Sequence, residues 1–200
     1  MNYKNLKIEE FLEKLSSTES MPGGGTVAAL VGANAVSCAL KVCNLSLGKE
    51  KYKEHEAFIK DSITKLEESR KKFLMYMDED AQNFKFMEEV YKMPRDTSDD
   101  KKKRKLALAN ACQICCAVPI KIIENAVESI DIVLKLEGKT NVSAASDLKI
   151  AGLLLRATVK CGWDNVEINE KYINNEKYKK HIADIKEIVS RIARENQGLA

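Results

Sequence analysis

Residues 21–48 read MPGGGTVAALVGANAVSCALKVCNLSLG, and this stretch decides the fold. Thr26 is placed to cap a helix that runs to Leu47 and stops at Gly48. The segment is long and apolar enough to suggest a membrane span. It also carries Asn34, Ser37, Lys41 and Asn44, and its apolar residues are mostly small alanines, so it reads as a buried helix of a soluble protein. Ala28, Gly32, Ala35 and Ala39 recur at helical spacing and leave room for another helix to approach closely. The four polar residues share one face, which would either line a cavity or meet solvent.

The rest of the chain carries the same helical period. Leu6, Phe11 and Leu15 give a short amphipathic helix over about 7–16, and residues 17–25 form a loop. Phe58, Leu66, Phe73, Met77 and Phe84 stripe a long helix over roughly 54–92, which Pro94 ends. Ser98, Asp99 and Asp100 cap a fourth helix reaching about Glu137, with a kink expected at Pro119 and a stop at Gly138. Ser143 caps a fifth helix through about Cys161, and a sixth covers about 170–196. No segment alternates at period two for long. The expected fold is all-α: a single domain over 1–200, built as a bundle of about six mostly long antiparallel helices around the alanine-rich one.

Composition narrows the function. The chain has 33 basic and 30 acidic residues, too balanced for a dedicated nucleic-acid binder. Aromatic residues are 6%, too few for stacking platforms on single strands. The start, MNYKNLKIEEFLEKL, has no basic region followed by an apolar core, so no secretory signal is expected. Six cysteines then imply reduced thiols and a cytoplasmic location. Cys112, Cys115 and Cys116 lack a second C-x-x-C pair, and the histidines are only His55 and His181, so buried packing explains them better than metal. The run Lys101–Lys105 reads as a solvated helix face.

Three features could carry chemistry. The glycines of Pro22-Gly23-Gly24-Gly25 precede a helix whose free N–H groups could meet an anion or carboxamide. No Lys-Ser or Lys-Thr follows, so this is not a nucleotide phosphate loop, and spacing alone favours a tight helix-packing turn. Asp78-Glu79-Asp80 lies inside the third helix; by pattern alone it is a solvated face. Asp78 and Asp80 point about 200° apart, however, and Asp80 shares the stripe of Phe73, Met77 and Phe84. Asp80 is therefore expected to turn inward, and Asp78 towards solvent or another subunit. Ser146-Asp147 offers a hydroxyl and a carboxylate in a first helical turn.

Four blocks together resemble the cyclodeaminase/cyclohydrolase family, represented by the C-terminal domain of formiminotransferase-cyclodeaminase and by free-standing bacterial relatives. They are Met21–Ala29; Asp78–Phe84 followed by Tyr91-Lys92-Met93-Pro94; Asn141–Asp147; and Asn165-Val166-Glu167-Ile168-Asn169. Thr26 stands where the family has Ser, Asn83 where it has Ala, and Arg95 where it usually has Lys.

The resemblance implies an all-α enzyme acting on a one-carbon derivative of tetrahydrofolate, with or without a polyglutamyl tail, as a homodimer with folate between subunits. It implies no metal, no cofactor beyond the folate substrate, no nucleic acid and no membrane. Two reactions are implied, with formimidoyltetrahydrofolate cyclodeaminase placed ahead of 5,10-methenyltetrahydrofolate cyclohydrolase. A non-catalytic helical folate-binding or interaction module, or a folate carrier, is the contrasting class. On this resemblance Asp80 is the general acid/base, and Asp147 orients substrate or water. Gly23, Gly24 and Gly25 let the backbone approach the folate. Asn44, Ser146 and Asn169 contact the pterin edge, and Lys41 and Arg95 attract the anionic glutamyl tail.

Overall fold

The computed structural model describes residues 2–197. Among them are six α-helices and no strand: α1 (Ile8–Leu15), α2 (Gly24–Asn44), α3 (Glu56–Lys92), α4 (Ser98–Leu136), α5 (Ala145–Glu170) and α6 (Glu176–Gln197). Short 3-10 turns cover Tyr3–Asn5, Glu50–His55 and Val142–Ala144.

Helices α2 to α5 form an antiparallel four-helix bundle, and residue pairs fix its register. Gly25 and Gly32 on α2 face Asp80 and Phe73 on α3. Ser69 on α3 meets Ser129 on α4 at 2.8 Å, while Asn83 donates to the Ile114 carbonyl at 3.1 Å. Gly152 and Gly162 on α5 face Val133 and Ile123 on α4. The ring closes where Gly24 of α2 meets Asn165 of α5 and Lys41 pairs with Asp147. Helix α6 lies against α5 and α4.

More than half of α2 is buried, with Ala28, Ala35 and Ala39 fully enclosed. Its small residues are why: a Cβ on Gly32 would stand 2.6 Å from the Phe73 ring, so only glycine lets α3 come this close. By length and composition α2 and α4 could each cross a membrane, yet 61% of the α2 window is buried inside the bundle. The polar seam of α2 meets solvent. Asn34, Lys41 and Asn44 are exposed, and the Ser37 hydroxyl turns back onto the Ala33 carbonyl.

Several boundaries differ from the sequence expectation. Helix α2 begins at Gly24 with Gly23 as its N-cap, so Thr26 lies inside the first turn rather than capping it. Thr97, not Ser98, caps α4 through a reciprocal box with Asp100. Helix α4 otherwise keeps its expected span, with the buried Pro119 inside it. Helix α5 starts at Ala145 after a 3-10 turn and continues to Glu170, well past Cys161, so α6 starts only at Glu176. Gly48 and Gly138 do punctuate as expected, both at positive φ, where an L side chain would be strained.

Candidate functional site

Beyond Asp80, α3 continues twelve residues to Lys92, about 18 Å past the start of α2. The N-terminus of α2 is therefore a step inside the molecule, with α3 on one side and α5 on the other. No side chain caps α2 from its own segment. The charge at its positive end comes from Asp80 on α3. The Asp80 carboxylate accepts a hydrogen bond from the Thr26 hydroxyl at 2.9 Å, with a further backbone hydrogen bond from Thr26.

The glycines make this contact possible. A Cβ on Gly25 would stand 2.7 Å from the Asp80 carboxyl carbon and 2.8 Å from Oδ2. A Cβ on Gly24 would stand 3.3 Å from the Asn165 amide nitrogen. Neither glycine has a positive φ; what the turn needs is space. Gly24 is exposed and Asp80 half-buried, so the group of Gly24, Asp80 and Asn165 opens to the outside.

Burial raises the Asp80 carboxyl above its ordinary value of 3.8, while the two hydrogen bonds from Thr26 pull it back. Such a group can take up and release a proton within its site. Helix α4 adds Cys115, whose thiol is bonded to the Asn83 carbonyl. Burial, with smaller contributions from Cys112 and then Asp80, pushes that thiol up to about 12. The six cysteines are free, and among the described residues no three His, Cys, Asp or Glu side chains gather where they could hold a metal.

Asp80 turns inward as its stripe predicts. Asp78 does not turn to solvent, which corrects that part of the expectation for it. Its carboxylate accepts the Tyr3 backbone N–H at 2.6 Å and pairs with Lys4 at 3.5 Å, tying the N-terminal segment onto α3. Between that segment and α3 lies a cavity of about 380 Å³, lined by Tyr3, Ser20, Met21, Ala81, Gln82 and Lys85 among others. Met21 links it to the glycine turn, its sulfur 3.6 Å from where a Gly23 Cβ would be.

The remaining candidates divide by place. Asn169 lies at the Asp80 end, one turn beyond Asn165, where its amide donates to the Asn165 carbonyl. Lys41, Asn44, Ser146 and Asp147 gather at the other end, where Lys41 Nζ approaches Asp147 Oδ2 to 2.9 Å. The hydrogen bond to Asp147, with its charge second, holds Lys41 above its ordinary value. Lys41 follows Gly25 by 16 residues of helix, about 24 Å. One chain thus keeps Asp80 and Asp147 at opposite ends of α2. Arg95 is exposed beyond the end of α3 and is likewise remote from Asp80. Two residues at this end of α2 escape the sequence reading as site candidates: Thr26, whose hydroxyl points across to α3, and Asn165, which faces Gly24 one turn before the candidate Asn169.

The family model described as formiminotransferase-cyclodeaminase matches residues 7–187. A methenyltetrahydrofolate cyclohydrolase of Methylorubrum extorquens is 32% identical over 86% of this chain and 82% of that protein. The formimidoyltransferase-cyclodeaminases of Sus scrofa and Gallus gallus are 26% and 27% identical over 94% and 95% of the chain. The chain spans only 34% and 35% of their length. A solved structure, the formiminotetrahydrofolate cyclodeaminase of Thermotoga maritima, matches with a TM-score of 0.82 at 26% identity, over 98% of this chain and 92% of that one.

Proposed function

The chain belongs to the formiminotransferase-cyclodeaminase family, and on that premise we propose that it is a folate one-carbon enzyme acting on the N5–C–N10 bridge of tetrahydrofolate. The observation that carries this reading is the Asp80 carboxyl, half-buried at the glycine-cleared start of α2 and raised in pKa by burial. In the cyclodeaminase reaction, N10 adds to the formimino carbon and its proton passes to the imino nitrogen. Protonated Asp80 then gives a proton to the amino group, the C–N bond breaks, and ammonia leaves the 5,10-methenyl cation. A carboxyl that holds a proton above the usual range suits that step.

A second reading, 5,10-methenyltetrahydrofolate cyclohydrolase, is favoured by the M. extorquens relative, most of whose length the chain covers. There water adds to the methenyl carbon and ionised Asp80 accepts one of its protons. Asp80 then gives that proton to N5 as the N5–C bond opens, and the remaining hydroxyl proton is lost to solvent as the formyl C=O forms, leaving 10-formyltetrahydrofolate. Both reactions pass through a tetrahedral carbon and call for one proton-transfer group at the same place.

In this reading the enzyme works in the cytoplasm as a homodimer, with no metal and no cofactor besides its folate substrate. A second copy supplies the Lys41–Asp147 end to the Asp80 mouth of the first, so that Asp147 orients the reacting group and Lys41 or Arg95 meets the glutamyl tail. The test follows the methenylfolate absorption with each substrate in turn. With 5-formiminotetrahydrofolate, appearance of the chromophore together with ammonia marks the deaminase. With the methenyl compound, accelerated loss of the chromophore marks the hydrolase. Absence of both changes would reject the reading.

A further inference from the structure

We propose that Thr26 is a positioning residue for Asp80: its buried hydroxyl, donated across the α2–α3 boundary, holds the carboxyl group in one orientation at the mouth of the site. The inference rests on Asp80 being the proton-transfer group.

The direction of the hydroxyl sets Thr26 apart. Ser37, Ser46, Ser62, Ser129 and Thr158 each donate to the carbonyl four residues back. Four residues before Thr26 is Pro22, which lies outside α2. Thr26 is fully buried, and its hydroxyl reaches Asp80 Oδ2 at 2.9 Å on another helix. An enclosed hydroxyl must find a partner, and a charged acceptor makes the stronger bond. The β-branched side chain restricts χ1, which limits where the hydroxyl can point.

Little else facing Asp80 could do the same. From α4 comes Cys115, whose thiol is already bonded to the Asn83 carbonyl. Asn165 from α5 is uncharged, and its amide nitrogen donates to the Cys161 carbonyl at 2.8 Å. On α3 itself, Asp78 is held by Tyr3 and Lys4, and Glu79 pairs with Lys121 at 3.0 Å. The hydrogen bond from Thr26 opposes the effect of burial on the carboxyl, so its loss moves the Asp80 titration upward.

The test compares Thr26→Val, which keeps the shape and removes the donor, with Thr26→Ser, which keeps the donor. Two readouts are taken on the full chain: the Asp80 carboxyl titration, from infrared difference spectra against Asp80→Asn, and the pH profile of kcat with KM. Thr26→Val is expected to titrate Asp80 at higher pH and to lower kcat about 10- to 100-fold with KM little changed. Thr26→Ser is expected to stay within about threefold of the parent on both kinetic constants. Should the valine chain fail to fold, Thr26→Ala gives the same comparison. An Asp80 titration unmoved by loss of the hydroxyl would overturn the inference. A titration that moves while Asp80→Asn keeps full turnover would uphold Thr26 as the group holding the carboxyl and overturn the catalytic reading of Asp80 instead.

Discussion

The Asp80 carboxylate occupies the space that any side chain at position 25 would need; a Cβ there would lie 2.8 Å from Oδ2. The third glycine of the turn and the half-buried acid of α3 are thus two halves of one device. Gly25→Ala must push Asp80 away or tilt the start of α2. Turnover is expected to fall about tenfold or more, since small displacements of a reacting group are costly, while far-ultraviolet circular dichroism stays helical. An alanine variant with parental kcat and an unmoved Asp80 titration would show that the close approach has no functional role.

Asp80 also gives stability a pH dependence. Its folded-state pKa is raised above 3.8, so the native chain holds that proton more tightly than the unfolded chain does. The corresponding stability is fully present below the unfolded value and is lost as pH rises through the folded one. Asp80→Asn removes this loss. Relative to the parent, the variant should gain stability as pH rises from the unfolded value of 3.8 through the higher folded one, read from urea midpoints at each pH. A constant difference across that range would contradict the assignment of the raised pKa.

The distance between Asp80 and Asp147 makes the shared-site arrangement testable. If a second copy brings its Asp147 to the Asp80 mouth, Asp80→Asn and Asp147→Asn chains are each weak alone. Mixed, unfolded and refolded together, they form hybrids with one intact site, and about a quarter of parental activity returns, because half the dimers are hybrids with one of two sites restored. No recovery in demonstrably mixed dimers would mean that the two acids do not serve one site.

The alanine-rich helix tolerates no enlargement. Ala35 is fully buried, and Ala35→Leu is expected to cost about 1–3 kcal/mol by overpacking, measured from denaturant unfolding. A variant as stable as the parent would mean that α2 packs more loosely than the contact between Gly32 and Phe73 implies.

Much of the fold is legible in the sequence because helices with long apolar stripes announce themselves: α2, α3 and α4 each fall within a few residues of their expected spans. The misreadings come from tertiary contacts that a local pattern does not encode. The fifth helix is expected to end near Cys161, yet it continues through Gly162, the point where α5 meets α4; a Cβ there would stand 2.7 Å from Ile123. Thr26 has the composition of a cap, but its hydroxyl is drawn to a carboxylate 54 residues away. Asp78 looks solvated because periodicity says nothing of the N-terminal segment that folds over it. The inward turn of Asp80 is readable because its neighbours at helical spacing are Phe73, Met77 and Phe84. That Lys41 and Asp147 lie at the opposite end of the bundle is a matter of topology, visible only once four helices are assembled.

The central claim is that Asp80 moves the proton at the folate bridge, and kcat of Asp80→Asn tests it most directly. With the substrate that the parent turns over, the account predicts a fall of about 10²-fold or more, with folate binding and folding retained. Asp78→Asn serves as the companion and should change kcat far less, since Asp78 holds only the N-terminal segment. Near-parental turnover in a folded Asp80→Asn chain would contradict the account.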